Sequence, residues 1–323
     1  MKLFLRILAT LVGLVLVVGL GTYAWASWAS SKVLSRTFTV HSVDFPIPFP
    51  LDTGDVARLR IDTDSAQRLA LAQAIDRGKH LVESRYVCIE CHGPDFSGGT
   101  MMDVPLIGRF LGPNITAGTG GRTGAYAAGD WDRIVRHGVR PDGTPATMPS
   151  DDFKLMSDQE LSDIVAYVRS RPTADKEVPP VSLGPLGRML VATGQFKLSA
   201  DMIESHDTPH RVAPPEATVS VEFGRHLAGV CTGCHQADLA GGKMVGGDPS
   251  WVPAANLTPH ETGQITTWTL DDFKTALREG KRPDGTDLRM PMSLVVPYGK
   301  KMNDLELEAL WTYIRSVPPV PSR

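Results

Sequence analysis

The sequence predicts an all-α protein: two tandem copies of one helical domain behind an N-terminal transmembrane helix. Three observations carry this reading. The phrase VCIECHGPDFSGG, Val87 to Gly99, returns as VCTGCHQADLAGG, Val230 to Gly242, and the two copies hold all four cysteines of the 323 residues. Apolar residues recur at helical spacing late in each copy: Leu161, Ile164, Val165 and Val168, then Leu307, Leu310, Trp311 and Ile314. No charged residue stands between Ile7 and Ser31. No stretch shows a convincing strand pattern.

Residues 1–31 read as the anchor, because the uncharged run is long enough to cross a hydrocarbon core as a helix. Lys2 and Arg6 before it favour a cytoplasmic N-terminus, and Lys32 and Arg36 after it weaken that bias. Ala24-Trp25-Ala26 offers a small-x-small cleavage site, so a cleaved signal peptide is the alternative. The apolar run is longer than a usual signal core, which favours retention. Either way the remainder crosses the membrane. Residues 32–70, with VDFPIPFPLDTG, read as an extended, Pro-rich spacer lifting the domains off the bilayer.

The copies span 71–171 and 219–318, joined by a Pro-rich connector at 172–218 and followed by a tail at 319–323. Blocks match in order: PNIT at Pro113 with ANLT at Ala255, HGVRPDGT at His137 with EGKRPDGT at Glu279, Met148-Pro149 with Met290-Pro291, and MSDQELSDIVAYVRS with MNDLELEALWTYIRS. Self-similarity of this kind marks a duplicated unit. Each copy reads helix, cysteine motif, loop, short helix, loop, helix. Ser157 with Glu160 forms a capping box before the last helix, and Asn303 with Glu306 is its counterpart. The apolar middle of the connector, GRMLVATGQFKL, reads as a docked linker against a domain or near the membrane.

Composition narrows the function. A net charge of −3 argues against a nucleic-acid partner. With 31 Gly and 25 Pro the chain needs long shaped loops, and at 7 % aromatics its domains need something else to fill their centres. A large cofactor would do so.

Cys-x-x-Cys-His has three readings. A thioredoxin-type redox pair needs a βαβ context, which is absent. A zinc site could use two such pairs, but here they belong to separate copies, and a His directly after the second Cys does not readily close on the same tetrahedral metal. Covalent attachment of a c-type haem fits: Cys88 and Cys91, and Cys231 and Cys234, would form the thioethers, with His92 and His235 as proximal iron ligands. An electron carrier then needs a distal Met or His on each iron. Met156 and Met302 stand just before the helix caps with Leu161 and Leu307 at N4, the hydrophobic-staple arrangement, so each has a structural job. Met148 and Met290 have no such job, and a following Pro holds each extended in a loop. They are the expected ligands, with Met292 the minor alternative in the second copy.

Together these elements resemble a membrane-anchored dihaem cytochrome c with two class I domains, of the mono- and dihaem variants found beside bacterial dehydrogenases and in respiratory chains. The resemblance covers both copies, about two thirds of the chain. It implies two covalently bound haem c groups, with axial His92 and Met148, and axial His235 and Met290. It also implies that the Pro113 region packs on the proximal histidine; the second copy has Ala255 there.

Other residues are read as structural. His80 and His226 lie at different distances from their cysteine motifs and are expected to be exposed helix residues. His137 is matched by Glu279, so it is not read as a ligand. Arg140 and Arg282 either reach haem propionates or hold the PDGT loops. Trp131 aligns with Phe273 and reads as core or haem packing.

The expected function is single-electron transfer in a respiratory or dehydrogenase-linked chain. The protein would be a single-pass resident of a bacterial inner membrane with its haem domains in the periplasm. The donor would be a dehydrogenase or quinol-oxidising complex and the acceptor a cytochrome or terminal oxidase. One alternative is a dihaem enzyme, of peroxidase or thiosulfate-oxidising type. Peroxidase chemistry needs a displaceable sixth ligand, which the near symmetry of the copies disfavours. The other is a dedicated cytochrome subunit of a dehydrogenase complex.

Overall fold

In a computed structural model the chain is described at residues 1–41, 43–244 and 250–323. The N-terminal helix α1 runs unbroken over Lys2–Ser35, with a mean hydropathy of 2.6 in its most apolar window. At 1.5 Å per residue its 34 residues span about 50 Å, more than a hydrocarbon core of about 30 Å. Its C-terminal turns have another use. Ala26 and Ser30 are buried there, and the helix packs on α7, Pro185–Ala192, from the connector. This part of the connector therefore docks on the C-terminal turns of α1.

The spacer departs from expectation. Helix α2, Thr53–Leu59, interrupts it, and α3 begins early, at Thr63, running to Ser84. The VDFPIPFP stretch does not stand off as a strut. Phe45 is buried in the first domain, Ile47 and Phe49 pack beside it, and Ser162 Oγ donates to the Pro46 carbonyl at 2.7 Å. Alternating prolines expose one row of apolar side chains, and the first domain buries that row.

Each domain is a ring of short helices closed by a crossing of its first and last members. In the first, α3 crosses α6, Asp158–Ser170, with α4, Cys88–His92, and α5, Ala128–His137, between them. In the second, α9, Val221–Leu227, crosses α13, Asp304–Ser316, with α10, Thr232–His235, α11, Leu270–Glu279, and α12, Val296–Gly299, between them. Short 3-10 turns cover Ser150–Asp152, Ala228–Cys231 and Met292–Val295, and α8, Ser199–Met202, lies in the connector. Glycine makes each crossing possible. A Cβ on Gly78 would stand 2.0 Å from the Asp163 carbonyl oxygen, and one on Gly224 2.0 Å from that of Ala309. Measured from these glycines, His80 and His226 are equivalent, and the second domain is three residues shorter before its cysteine motif.

The all-α class holds, with one small sheet added to it. A three-stranded antiparallel sheet, order β1-β2-β3, joins β1, Gly99–Val104, and β2, Gly108–Gly112, to β3, Ser182–Leu183, from the connector. Its glycines and a register shift between Thr100 and Met102 hide any period of two. The hairpin backs α4, and Gly112 lies so close that a Cβ would meet the Cys91 carbonyl oxygen at 1.8 Å.

Gly78→Ala should therefore cost roughly 1–3 kcal/mol by overpacking the first crossing. Thermal unfolding checks this, and an unchanged midpoint would refute the close approach.

Candidate functional site

Both Cys-x-x-Cys-His segments form a helical turn that ends in a buried histidine, His92 and His235. The His92 Nδ1 lies 2.8 Å from the Pro113 carbonyl oxygen, and the His235 Nδ1 2.7 Å from that of Ala255. A carbonyl only accepts, so Nδ1 carries the proton in each ring and Nε2 the lone pair. A backbone oxygen makes the contact, which explains why Ala255 replaces Pro113 without loss. All four cysteines are free. Burial pushes the Cys88 and Cys231 thiols up to about 12, and Cys91 up to about 11. That is the reverse of the low-pKa thiolate a redox pair uses.

The loop after each motif is the same structure written twice. Phe96 and Leu239 both adopt left-handed backbone, at φ 61° and 60°. Gly98 N donates to the His92 carbonyl and Gly241 N to that of His235. The repeated Asn-x-Thr explains itself too. Asn114 Nδ2 donates to the Ala174 carbonyl at 2.7 Å and Asn256 Nδ2 to that of Val320 at 2.7 Å, which ties down the chain beyond each last helix. The tail at 319–323 is thus part of the second domain's wall.

The methionines separate by burial. Met156 and Met302 lie in the two cores with Leu161 and Leu307, as the staple requires. Met148 is half-buried against the first core. Met290 is 41 % exposed and its Sδ accepts from Ser293 Oγ at 3.1 Å, while Met292 packs on the second core. Arg140 serves its loop, donating to Thr144 Oγ1 and the Pro145 carbonyl. Trp131 is buried with its indole N–H unpartnered, a donor in want of an acceptor.

Comparison with known proteins decides the family. The cytochrome c family model matches twice, over residues 75–172 and 221–318. The chain belongs to the cytochrome c family. It is 30 % identical over 285 residues to the cytochrome c subunit of a quinone alcohol dehydrogenase from Gluconacetobacter polyoxogenes, covering 78 % of this chain and 59 % of that protein. It is 24 % identical over 252 residues to a diheme cytochrome c-type protein of Cereibacter sphaeroides, covering 72 % and 82 %. It is 25 % identical over 276 residues to a fructose dehydrogenase cytochrome subunit of Gluconobacter japonicus, covering 79 % and 55 %. The chain thus spans less than two thirds of the quinone dehydrogenase subunit it matches.

Two cytochrome c domains carry two covalently bound haem c groups. This structure fits them: each domain offers adjacent unbridged thiols and a buried imidazole with a free Nε2. In the first, Trp131 adds an orphaned donor suited to a haem carboxylate.

This cytochrome places both motifs at the seam between its domains. Tyr298 of the second domain donates to Glu90 within the first motif. Asp152 of the first domain lies against Gly233 within the second, where a Cβ would stand 2.3 Å from its carboxylate. The seam is held reciprocally. His80 Nε2 meets Glu306 Oε1 at 2.8 Å, and His226 Nε2 meets Glu160 Oε1 at 2.8 Å. The expectation of exposed histidines is therefore corrected: His226 is buried and His80 half-buried, each bound to the other domain's capping glutamate. The signal lay in their shared Gly-x-His-Leu context, which the length difference masked.

Burial pushes the Glu160 carboxyl up, but Arg85 and His226 outweigh it and hold it at about 2. Because that value lies below the unfolded one, near ~4.3, its stabilisation is full above that pH and fades as pH falls toward 2. Hydrogen bonding to Glu306 raises His80 despite burial, so its share is full below about 6.5 and fades as pH rises through the raised value. Glu160→Gln should remove roughly 3–5 kcal/mol and flatten the acid limb of a stability–pH curve. An acid limb as steep as the parent's would show that Glu160 does not carry it.

Proposed function

We propose that this chain is the membrane-tethered electron-transfer subunit of a dehydrogenase. Single electrons would pass from the catalytic subunit through both haems to a membrane-side or cytochrome acceptor. The observation that carries this reading is the seam: both haem-attachment turns meet there, so an electron entering one domain has a short protein path to the other. The curated relatives named as dehydrogenase cytochrome subunits support the choice of donor.

In this reading Cys88 and Cys91 anchor one haem, with His92 and Met148 on its iron, and Cys231 and Cys234 anchor the other, with His235 and Met290. Neutral imidazole with a free Nε2 supports the histidines, and the Met-Pro repeat supports the methionines. When bound, haem supplies the one-electron chemistry. The chain fixes the imidazole tautomer, covers the edges and sets the surrounding charge. In this reading helix α1 is a retained anchor; the burial of Ala26, inside the small-x-small site, in the part of the chain where α1 packs on α7 supports it. The haem domains face the periplasm, in line with Lys2 and Arg6 on the opposite side.

Purification of the native membrane complex tests the assignment. A dehydrogenase subunit should accompany the chain, and its substrate should reduce both haems. Reduction by no dehydrogenase, together with peroxide-dependent oxidation of a donor, would favour the enzymatic alternative. Met148→His and Met290→His should each keep the haem and lower one potential, within the ~0.8 V range that axial ligands command. A drop with Met292→His and none with Met290→His would move the second ligand to Met292.

A further inference from the structure

A second convergence of side chains lies away from both cysteine motifs. His41 comes from the spacer, Asp132 and His137 from α5, and His210 from the connector. One ligand atom of each lies within 4.8 Å of all the others. Asp132 and His137 are buried, and the side chains of His41 and His210 are each 11 % exposed.

The proton bookkeeping singles the cluster out. His41 Nδ1 faces the His206 carbonyl at 2.9 Å and must donate to it. His206 Nε2 faces the Ala200 carbonyl at 3.0 Å and donates there, so its Nδ1 accepts from His137 Nδ1–H at 3.0 Å. The Nε2 atoms of His41 and His137 are thus lone pairs turned inward, with His210 Nε2 3.1 Å from that of His137. The Asp132 carboxylate stands 3.7 Å from His137 and His210 and 3.9 Å from His41. His41 Nε2 and Asp132 Oδ2 are buried with no hydrogen-bond partner. Arg136 meets Asp132 Oδ1, but Oδ2 and the inward lone pairs still face one another out of water, which is costly unless a cation sits among them.

We propose that His41, Asp132, His137 and His210 bind one divalent transition metal of the zinc type, as a closed structural site. Three imidazoles and a carboxylate form a tetrahedral donor set that zinc accepts. Metal–ligand bonds of about 2.0–2.1 Å place tetrahedral ligand atoms roughly 3.3–3.4 Å apart, inside the range of the separations seen here. The outer layer is built as well. His206 receives the far proton of His137, and Arg136 Nε donates to Asp132 Oδ1 at 2.7 Å. The second domain lacks the set: Lys274 and Glu279 stand where Asp132 and His137 stand. The site belongs to the anchored half, and it clips the membrane-proximal spacer and the connector onto α5.

The full-length chain, purified in detergent with both haems attached, tests this by elemental analysis. One zinc per two haem irons is expected. His41→Gln and His210→Gln should each lose the zinc while the haem spectrum, which reports folding, stays unchanged. His206→Ala should retain the site but weaken zinc about 10–100-fold in chelator competition. Chelation should lower the thermal midpoint, and zinc, not magnesium, should restore it. A protein that gains no zinc when supplied with it, or variants that keep the parent's zinc content, would overturn the proposal.

Discussion

The assembly hangs on two glutamates that each serve two domains. Glu160 uses Oε2 to receive the Ser157 N–H at 2.8 Å, completing its own helix cap, and Oε1 to meet His226 of the other domain. Glu306 does the same with Asn303 N–H at 2.9 Å and His80. A carboxylate has lone pairs enough for both tasks, and Glu160 Oε1 also receives Arg85 of its own domain. The helix start and the domain interface are therefore one hydrogen-bonded unit. Because the last helix is also half of the glycine-mediated crossing, the unit reaches each domain's core. Seating the two domains and seating the two haem-attachment turns become the same event.

The repeat made much of this legible. The cysteine phrase, the capping boxes and the terminal helices are local, so their spacing survives in one dimension. Even the choice between staple and loop methionines follows from position relative to a cap, and Met156 and Met302 are buried as that argument requires. What stayed hidden depends on distance along the chain. His80 and Glu306 are 226 residues apart, and the three-residue shortening before Cys231 disguised the equivalence of His80 and His226. The β-hairpin lacked a clean alternation because glycines serve close approach there rather than pleating. The histidine cluster draws on three segments and exists in one domain only, so comparison of the copies steered away from it.

The described residues between α1 and the first domain pack on that domain in part. Phe45, Ile47 and Phe49 of the spacer pack on the first core, and α7 packs on α1. Arg136, fully buried between Asp132 and Asp158 and with Phe45 beneath its guanidinium, links α5 to both the spacer and the last helix. The first domain is thereby tied to the spacer, and the second meets it at the seam, with Arg211 of the connector reaching Glu222.

The copies agree in what holds a haem and differ in what surrounds it. Each cysteine motif has one carboxylate at the seam, but of different origin. Glu90 lies within the first motif; Gly233 at the matching position makes room for Asp152 from the other domain. Burial and the neighbouring Asp151 push Asp152 up to about 7, so near neutral pH it is only partly charged. A carboxylate favours the oxidised, more positive iron, and a proton on it removes that preference. Trp131 supplies a buried donor in the first domain where the second has Phe273. Two sites built by duplication thus acquire unequal electrostatic settings from a handful of substitutions at the seam, and a difference in potential between otherwise matched haems is what gives an electron a direction.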